Sequence, residues 1–163
     1  MNKKLVKNEK GLTLVELLAV IVILAIVAAI AVPAIGNVIE NSRYKAAKAD
    51  AITVLNAANI YFTEKQTEGA NGKAVETVTI EQLNTAGYLE DPGTFAKGNK
   101  GEAVVNKVSN GSNTLTGKAV YSGGVEVQFK AATIQDITKD DRSAKEAKDG
   151  NNTITVPKAT TSK

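Results

Sequence analysis

Residues 7–36 read KNEKGLTLVELLAVIVILAIVAAIAVPAIG, the most apolar stretch of the chain. Leu17 to Val32 are 16 apolar residues without a break, and no charged side chain lies between Glu16 and Glu40. Extended back to Leu12, the segment would span about 32 Å as a helix, which matches one bilayer core. A carboxylate inside a bilayer costs about 2.5–3.5 kcal/mol, so the position of Glu16 requires an explanation.

The charge distribution predicts the orientation of this segment. The whole chain has a formal net charge of +3. All of this excess lies in residues 1–11, which hold four lysines against Glu9, and the remainder has as many acidic as basic side chains. A basic segment before an apolar helix stays in the cytoplasm. We therefore expect a single-pass protein of the cytoplasmic membrane with its amino terminus inside.

Two ordinary interpretations of the apolar segment are a plain membrane anchor and a secretory signal peptide. Ala29-Ile30-Ala31 fits the small-x-small pattern of a signal cleavage site, and cleavage there would release a protein that starts at Val32. Two features count against a signal peptide. Glu16 places an acid where such signals are basic or neutral, and the helical pattern continues beyond Ala31.

The residues Gly11-Leu12-Thr13-Leu14-Val15-Glu16-Leu17-Leu18 resemble the processing motif of type IV prepilins. This resemblance implies that residues 1–11 are a leader, that a prepilin peptidase cuts between Gly11 and Leu12, and that Leu12 is then N-methylated. It also implies that Glu16 pairs with the Leu12 amine of a neighbouring subunit during assembly, and that Pro33 kinks the helix. Leu12 stands where the family usually has Phe, and Ala25 where a Gly is common.

The expected fold class is α+β, the type IV pilin fold, in which the apolar half of a long helix protrudes and the other half packs on an antiparallel sheet. We assign residues 12–36 to the transmembrane assembly helix and 37–163 to the globular domain. That domain comprises an amphipathic helix (37–67), a loop region (68–102), and the sheet with its tail (103–163). The predicted buried stripe of the amphipathic helix is Tyr44, Ala47, Ala51, Leu55, Ala58 and Phe62.

Several local patterns predict the remaining elements. Thr79 and Gln82 form a capping box for a short helix that stops at Gly87, and Asp91-Pro92-Gly93 is a turn. Strands are predicted at 103–108, 114–121, 125–130, 133–138 and 153–156, with hairpin turns at Asn110-Gly111 and Ser122-Gly123-Gly124. Residues 139–152 are predicted to form a surface loop or a short helix.

The composition disfavours an enzyme. The chain has no cysteine and no histidine, so thiol catalysis is excluded and the commonest general base and metal ligand are missing. We predict no catalytic residues, no metal and no cofactor. Gly111 to Lys118 departs from a phosphate loop in spacing, and the calcium candidates Asp140, Asp141, Asp149 and Asn151 match no known ligand loop. Without its leader the chain is formally neutral, which disfavours direct nucleic-acid binding.

The resemblance to prepilins implies a structural function, as the major subunit of an extracellular type IV pilus-like filament. The expected partners are other copies of the chain, the prepilin peptidase, the pilus assembly platform with its ATPase motors, and the membrane before assembly. After assembly the subunit would lie on the cell surface. Two alternatives stay open: a pseudopilin of a type II secretion or DNA-uptake system, and a secreted or membrane-anchored β-rich binding module.

Overall fold

The computed structural model describes residues 13–65, 75–96, 102–121 and 125–157. The chain divides into two compact units, Met1–Val38 and Ile39–Lys163. Helix α1, Leu14–Glu64, contributes residues to both units. Apolar side chains surround the helix from Leu14 to Val38, and the described residues of this unit are exposed apart from the half-buried Ala31.

The second half of α1 is amphipathic, with its buried apolar side chains along one side of the helix. All six residues of the predicted stripe, from Tyr44 to Phe62, are buried, and Val54 and Ala57 join them. The stripe forms one hydrophobic cluster with the inner face of a sheet, in which Val127 and Phe129 are fully buried. The predicted amphipathic stripe is therefore confirmed, and it holds the second unit together through apolar contacts.

The sheet has five strands in the order β1-β2-β3-β4-β5. The strands are β1 Thr77–Thr79, β2 Val104–Asn106, β3 Thr114–Tyr121, β4 Val125–Ala132 and β5 Thr153–Val156. Strands β1 to β4 pair antiparallel, whereas β5 runs parallel to β4. The α+β prediction is confirmed, but the sheet is mixed and not wholly antiparallel. Parallel neighbours need a crossover connection, which residues 133–152 provide.

In the described ranges, four short helical elements accompany the sheet. They are α2 Ile80–Thr85, a 3₁₀ turn at Gly93–Ala96, α3 Ile134–Lys139 and α4 Ala144–Ala147. The capping box predicted for α2 is present, because Thr79 Oγ1 accepts the N–H of Gln82 and Gln82 Oε1 accepts the N–H of Thr79. Helix α4 confirms that residues 139–152 include a short helix.

The strand predicted at 133–138 is wrong, because Thr133 caps α3 and the residues after it belong to that helix. Thr133 Oγ1 accepts the N–H of Asp136 at 3.1 Å, and Asp136 Oδ2 accepts the N–H of Thr133 at 2.9 Å. This reciprocal cap satisfies two backbone donors at the start of a helix, and Ile137 fills the core. The local cap therefore outweighs the β-branched composition of the segment.

Other boundaries agree in part with the predictions. Strands β3 and β5 begin and end where they were predicted, β2 is shorter, and β4 is longer by two residues. Strand β1 was not predicted, since it has only three residues. The turn at Asp91 is present, with the Asp91 carboxylate accepting the N–H of Gly93 at 2.8 Å. The glycine turn at 122–124 lies outside the described residues.

The outer edge of β5 is occupied. The Thr153 carbonyl accepts a hydrogen bond from the N–H of Asp149 at 2.9 Å. The Thr155 carbonyl accepts one from Nη2 of Arg142 at 3.0 Å. Between them, Lys148 forms an isolated antiparallel bridge with Ile154. The connection that makes β5 parallel therefore also covers its free side.

Candidate functional site at the amino-terminal helix

Thr13 determines where helix α1 begins. Its Oγ1 accepts the N–H of Glu16 at 3.2 Å, and its carbonyl accepts the N–H groups of Glu16 and Leu17 at 3.0 and 3.1 Å. The bond to Oγ1 satisfies a donor that the first turn of a helix leaves without an intrahelical partner, and the bond from Leu17 is the first intrahelical bond. Thr13 is thus the cap of the helix that carries the apolar segment.

Glu16 lies in the first turn of this helix and is exposed. The amino end of a helix carries a partial positive charge, which stabilises a carboxylate there. Thr13 and Glu16 also have the spacing of a capping box, a pattern that the sequence interpretation of Glu16 missed although it was recognisable. The position of Glu16 therefore has a local explanation in addition to the predicted pairing in assembly.

The residues after Glu16 form an apolar surface that stays exposed among the residues the structure describes. Leu18, Ile21 and Ile30 expose 55%, 62% and 71% of their surface. The large apolar side chains on the remaining sides of the helix are exposed to a similar extent. The helix is long and apolar enough to cross a membrane. Such a surface is stable only in lipid or against other apolar helices.

Pro33 lies inside α1, and the helix continues through it. Proline has no N–H, so one intrahelical bond is missing at this position. The kink predicted at Pro33 stays a prediction, as do the roles of Gly11 and Leu12, which lie outside the described residues.

Residues 6–32 match the family model described as the prokaryotic N-terminal methylation motif. The chain carries a type IV prepilin-like signal motif. This prepilin-like motif includes Gly11, Leu12 and Glu16, and its apolar part coincides with the exposed portion of α1. No curated protein and no solved structure matches the chain.

The motif supports a type IV pilin-like protein that is processed as a prepilin, with the apolar helix as a membrane anchor before assembly. It also suggests a structural and not a catalytic protein. Among the residues that the structure describes, no group of three or more acidic side chains is placed to hold a metal ion. Gly117 and Lys118 lie inside β3, so they form a strand and not a phosphate loop.

A second polar feature of the prepilin-like chain is a cluster around Asp140, which we call the Asp140 clasp: Tyr44, Lys48, Asp140 and Arg142. Arg142 donates from Nε to Asp140 Oδ1 at 2.8 Å and from Nη2 to Oδ2 at 2.7 Å. The Tyr44 hydroxyl donates to Oδ2 at 2.5 Å, and the Lys48 ammonium donates to the Asp140 carbonyl. Sequence analysis considered Asp140 only for calcium, and its carboxylate is instead bound to Arg142.

The electrostatics of the clasp follow from burial and pairing. Burial alone would raise the pKa of Asp140, but hydrogen bonds from Arg142 and Tyr44 outweigh it and lower the pKa to about 2. Burial and the bond to Asp140 raise the pKa of Tyr44. Burial lowers the pKa of Lys48. The Asp140 side chain is 5% exposed and that of Arg142 is 19% exposed, so the clasp contains a partly buried ion pair. The bonds from Tyr44 and Lys48 join the α3–α4 connection to α1.

Two further bonds extend the attachment of this connection. Asn41 Oδ1 accepts the N–H of Ala144 at 2.8 Å, and Lys148 Nζ donates to Glu40 Oε1 at 2.7 Å. Of the other calcium candidates, Asp149 uses Oδ1 to accept the N–H groups of Asn151 and Thr153, both at 2.9 Å. In the described part of the chain these acidic residues therefore organise backbone, and the exposed amino-terminal helix is the better candidate for function.

Proposed function

We propose that the chain is a structural subunit, the major pilin, of an extracellular type IV pilus-like filament. A prepilin peptidase cuts between Gly11 and Leu12 and methylates Leu12. The mature subunit stays in the cytoplasmic membrane through its apolar helix until an assembly platform and ATPase motors add it to the filament. The filament is a helical homopolymer on the cell surface.

The observation that carries this proposal is the exposed apolar length of α1 directly after the prepilin-like motif. Lipid covers this surface before assembly. Once the subunit leaves the membrane, the apolar side chains need an equivalent environment, and helices of other copies provide one. A chain whose helix is removed by a signal peptidase at Ala31 would not keep this surface.

Glu16 has a specific task in this proposal. Cleavage after Gly11 creates a cationic amine at Leu12, and it removes the leader with its excess positive charge. A carboxylate and an amine in a dry bundle of helices attract strongly, whereas either charge alone is penalised. The pairing of Glu16 with the Leu12 amine of the next subunit would set the register of assembly.

The test of processing is the mass of the mature amino terminus. We expect a protein that starts at N-methylated Leu12, and we expect Gly11→Val to leave the precursor uncut, because a small residue lets the peptidase approach the backbone. Gly36→Val is the matched control, since Gly36 lies in α1, away from the cut, with nothing within 4 Å of an added Cβ. A start at Val32, or normal maturation of Gly11→Val, would overturn the proposal.

The test of assembly is the location of the mature subunit. A major pilin is recovered from sheared surface filaments as their principal protein, by mass spectrometry of the sheared fraction. Recovery only in the membrane fraction, with correct processing at Leu12, would indicate a pseudopilin instead.

A further inference from the structure

The turn between β2 and β3 places an Asn-Gly pair at an exposed tip. Asn110 and Gly111 are both exposed, seven residues separate Asn106 and Thr114 in the loop, and the structure describes all of them. The Gly111 N–H donates to the Val108 carbonyl at 3.4 Å, which is beyond the usual range for such bonds. The backbone nitrogen of Gly111 is therefore accessible and weakly held.

The side chain of Asn110 is also unrestrained. No hydrogen bond joins its amide to any residue within the described ranges. Asn113, in the same turn, differs sharply: its Nδ2 donates to Asn59 Oδ1 at 2.6 Å, and its Oδ1 accepts the N–H of Val108 at 2.9 Å. The turn thus contains one free and one fixed asparagine.

We propose that Asn110 is a site of spontaneous deamidation, in which the backbone of Gly111 converts it to aspartate and isoaspartate. The deprotonated Gly111 nitrogen attacks Cγ of Asn110 and forms a C–N bond. The side-chain nitrogen leaves as ammonia, and a five-membered succinimide results. Water then opens the ring at either carbonyl, so that one amide and one water give one carboxylic acid and one ammonia.

Glycine makes this attack possible at position 111. It has no side chain to obstruct the approach of its nitrogen to Cγ, and its backbone adopts the required conformations freely. The other asparagines in described positions lack this combination. Asn41, Asn56 and Asn59 precede residues whose N–H groups are bonded within α1, and Asn113 precedes the β-branched Thr114 at the start of β3.

The reaction would change the turn in two ways. Either product adds a negative charge, and isoaspartate also inserts one more methylene into the backbone between Val108 and Asn113. This tip carries the bond from Asn113 to Asn59, which ties the turn to α1. The modification is independent of filament formation, so its test does not depend on the proposed function.

The experiment uses the full chain in detergent, incubated at neutral and at mildly alkaline pH. Cleavage after lysine, performed at mildly acidic pH, yields the peptide Val108–Lys118, which contains both Asn110 and Asn113. Fragmentation mass spectrometry then assigns any amide-to-acid conversion to one of them. We expect conversion at Asn110 to be an order of magnitude faster than at Asn113 and to accelerate as pH rises.

Two variants and one unfolded sample complete the test. Asn110→Gln should keep its amide, because the corresponding ring is larger, and Gly111→Ala should slow the conversion of Asn110. Equal rates at Asn110 and Asn113 in the folded protein would overturn the proposal. An intact Asn110 in the folded protein, with rapid conversion after denaturation in urea, would overturn it as well, because the turn would then prevent the attack.

Discussion

At the scale of single residues, mutations can separate the position of Glu16 at the end of α1 from its proposed pairing in assembly. Its backbone N–H is capped by Thr13, and its carboxylate lies at the positive end of α1. Thr13→Ala removes the cap but keeps the charge, whereas Glu16→Gln removes the charge but keeps the shape.

We expect Glu16→Gln to leave cleavage at Gly11 intact and to reduce filament assembly sharply, because the Leu12 amine of the adjacent subunit loses its counter-charge. Membrane insertion should become easier, since the cost of the carboxylate is gone. Immunoblots of the sheared and membrane fractions measure the outcome. If Thr13→Ala reduces assembly as much as Glu16→Gln, the carboxylate acts through the helix end and not through pairing.

Asp140 is the second residue whose charge matters. Asp140→Asn leaves Arg142 without a carboxylate partner, and we expect it to lower the free energy of unfolding by about 1.5–3 kcal/mol, the value of a hydrogen bond to a charged group. Glu126→Gln is the control, because its exposed pair with Lys118 should contribute about 0–1 kcal/mol. Urea denaturation of residues 39–163, the second compact unit, measures both. Equal effects would show that the clasp is no stronger than a surface pair.

At the scale of elements, the second half of α1 offers a matched pair of apolar side chains. Leu55 is fully buried against the sheet, whereas Ile60 is 54% exposed on the same helix. We expect Leu55→Ala to cost about 2–5 kcal/mol of stability and Ile60→Ala about 0.5 kcal/mol or less. Thermal and urea unfolding of the same unit give the two values. A small effect of Leu55→Ala would mean that this stripe does not hold the core.

The elements also show which sequence patterns were sufficient. The alternation of Val125, Val127 and Phe129 predicted β4 correctly, because one face of the strand is buried and the other is not. The start of α3 could have been predicted too, since Thr133 and Asp136 repeat the spacing that identified the cap at Thr79. The β-branched residues of this segment favoured a strand instead, and the local hydrogen bonds of the cap decided the outcome.

At the scale of the whole molecule, long-range partners were not predictable from the sequence. Tyr44 and Asp140 are 96 residues apart, and nothing in either local pattern indicates the other. The parallel direction of β5 likewise depends on how the chain returns through α3 and α4, which the strand's own four residues do not encode. The exposed apolar helix and its motif were predictable, because they depend only on neighbouring residues.

Acid should weaken the second unit through Asp140. The pKa of this residue is about 2 in the folded protein, below the ordinary value of 3.8. Its contribution is therefore fully present above about pH 5 and is lost as pH falls toward about pH 2, by about 2 kcal/mol in total. Unfolding free energies measured across this range check the slope. Asp140→Asn should flatten this slope and leave the smaller pH dependence that comes from Asp136. Hydrogen bonds with Thr133 lower the pKa of Asp136. An unchanged slope would contradict this account.

The occupied edge of β5 has a consequence for aggregation. A free strand edge is a template on which other chains add by backbone pairing, and this is the route to amyloid. Here Arg142, Lys148 and Asp149 already use the backbone groups of that edge. If the chain forms the proposed filament, copies crowded side by side would associate through their helices and would not pair at the β5 edge of their sheets.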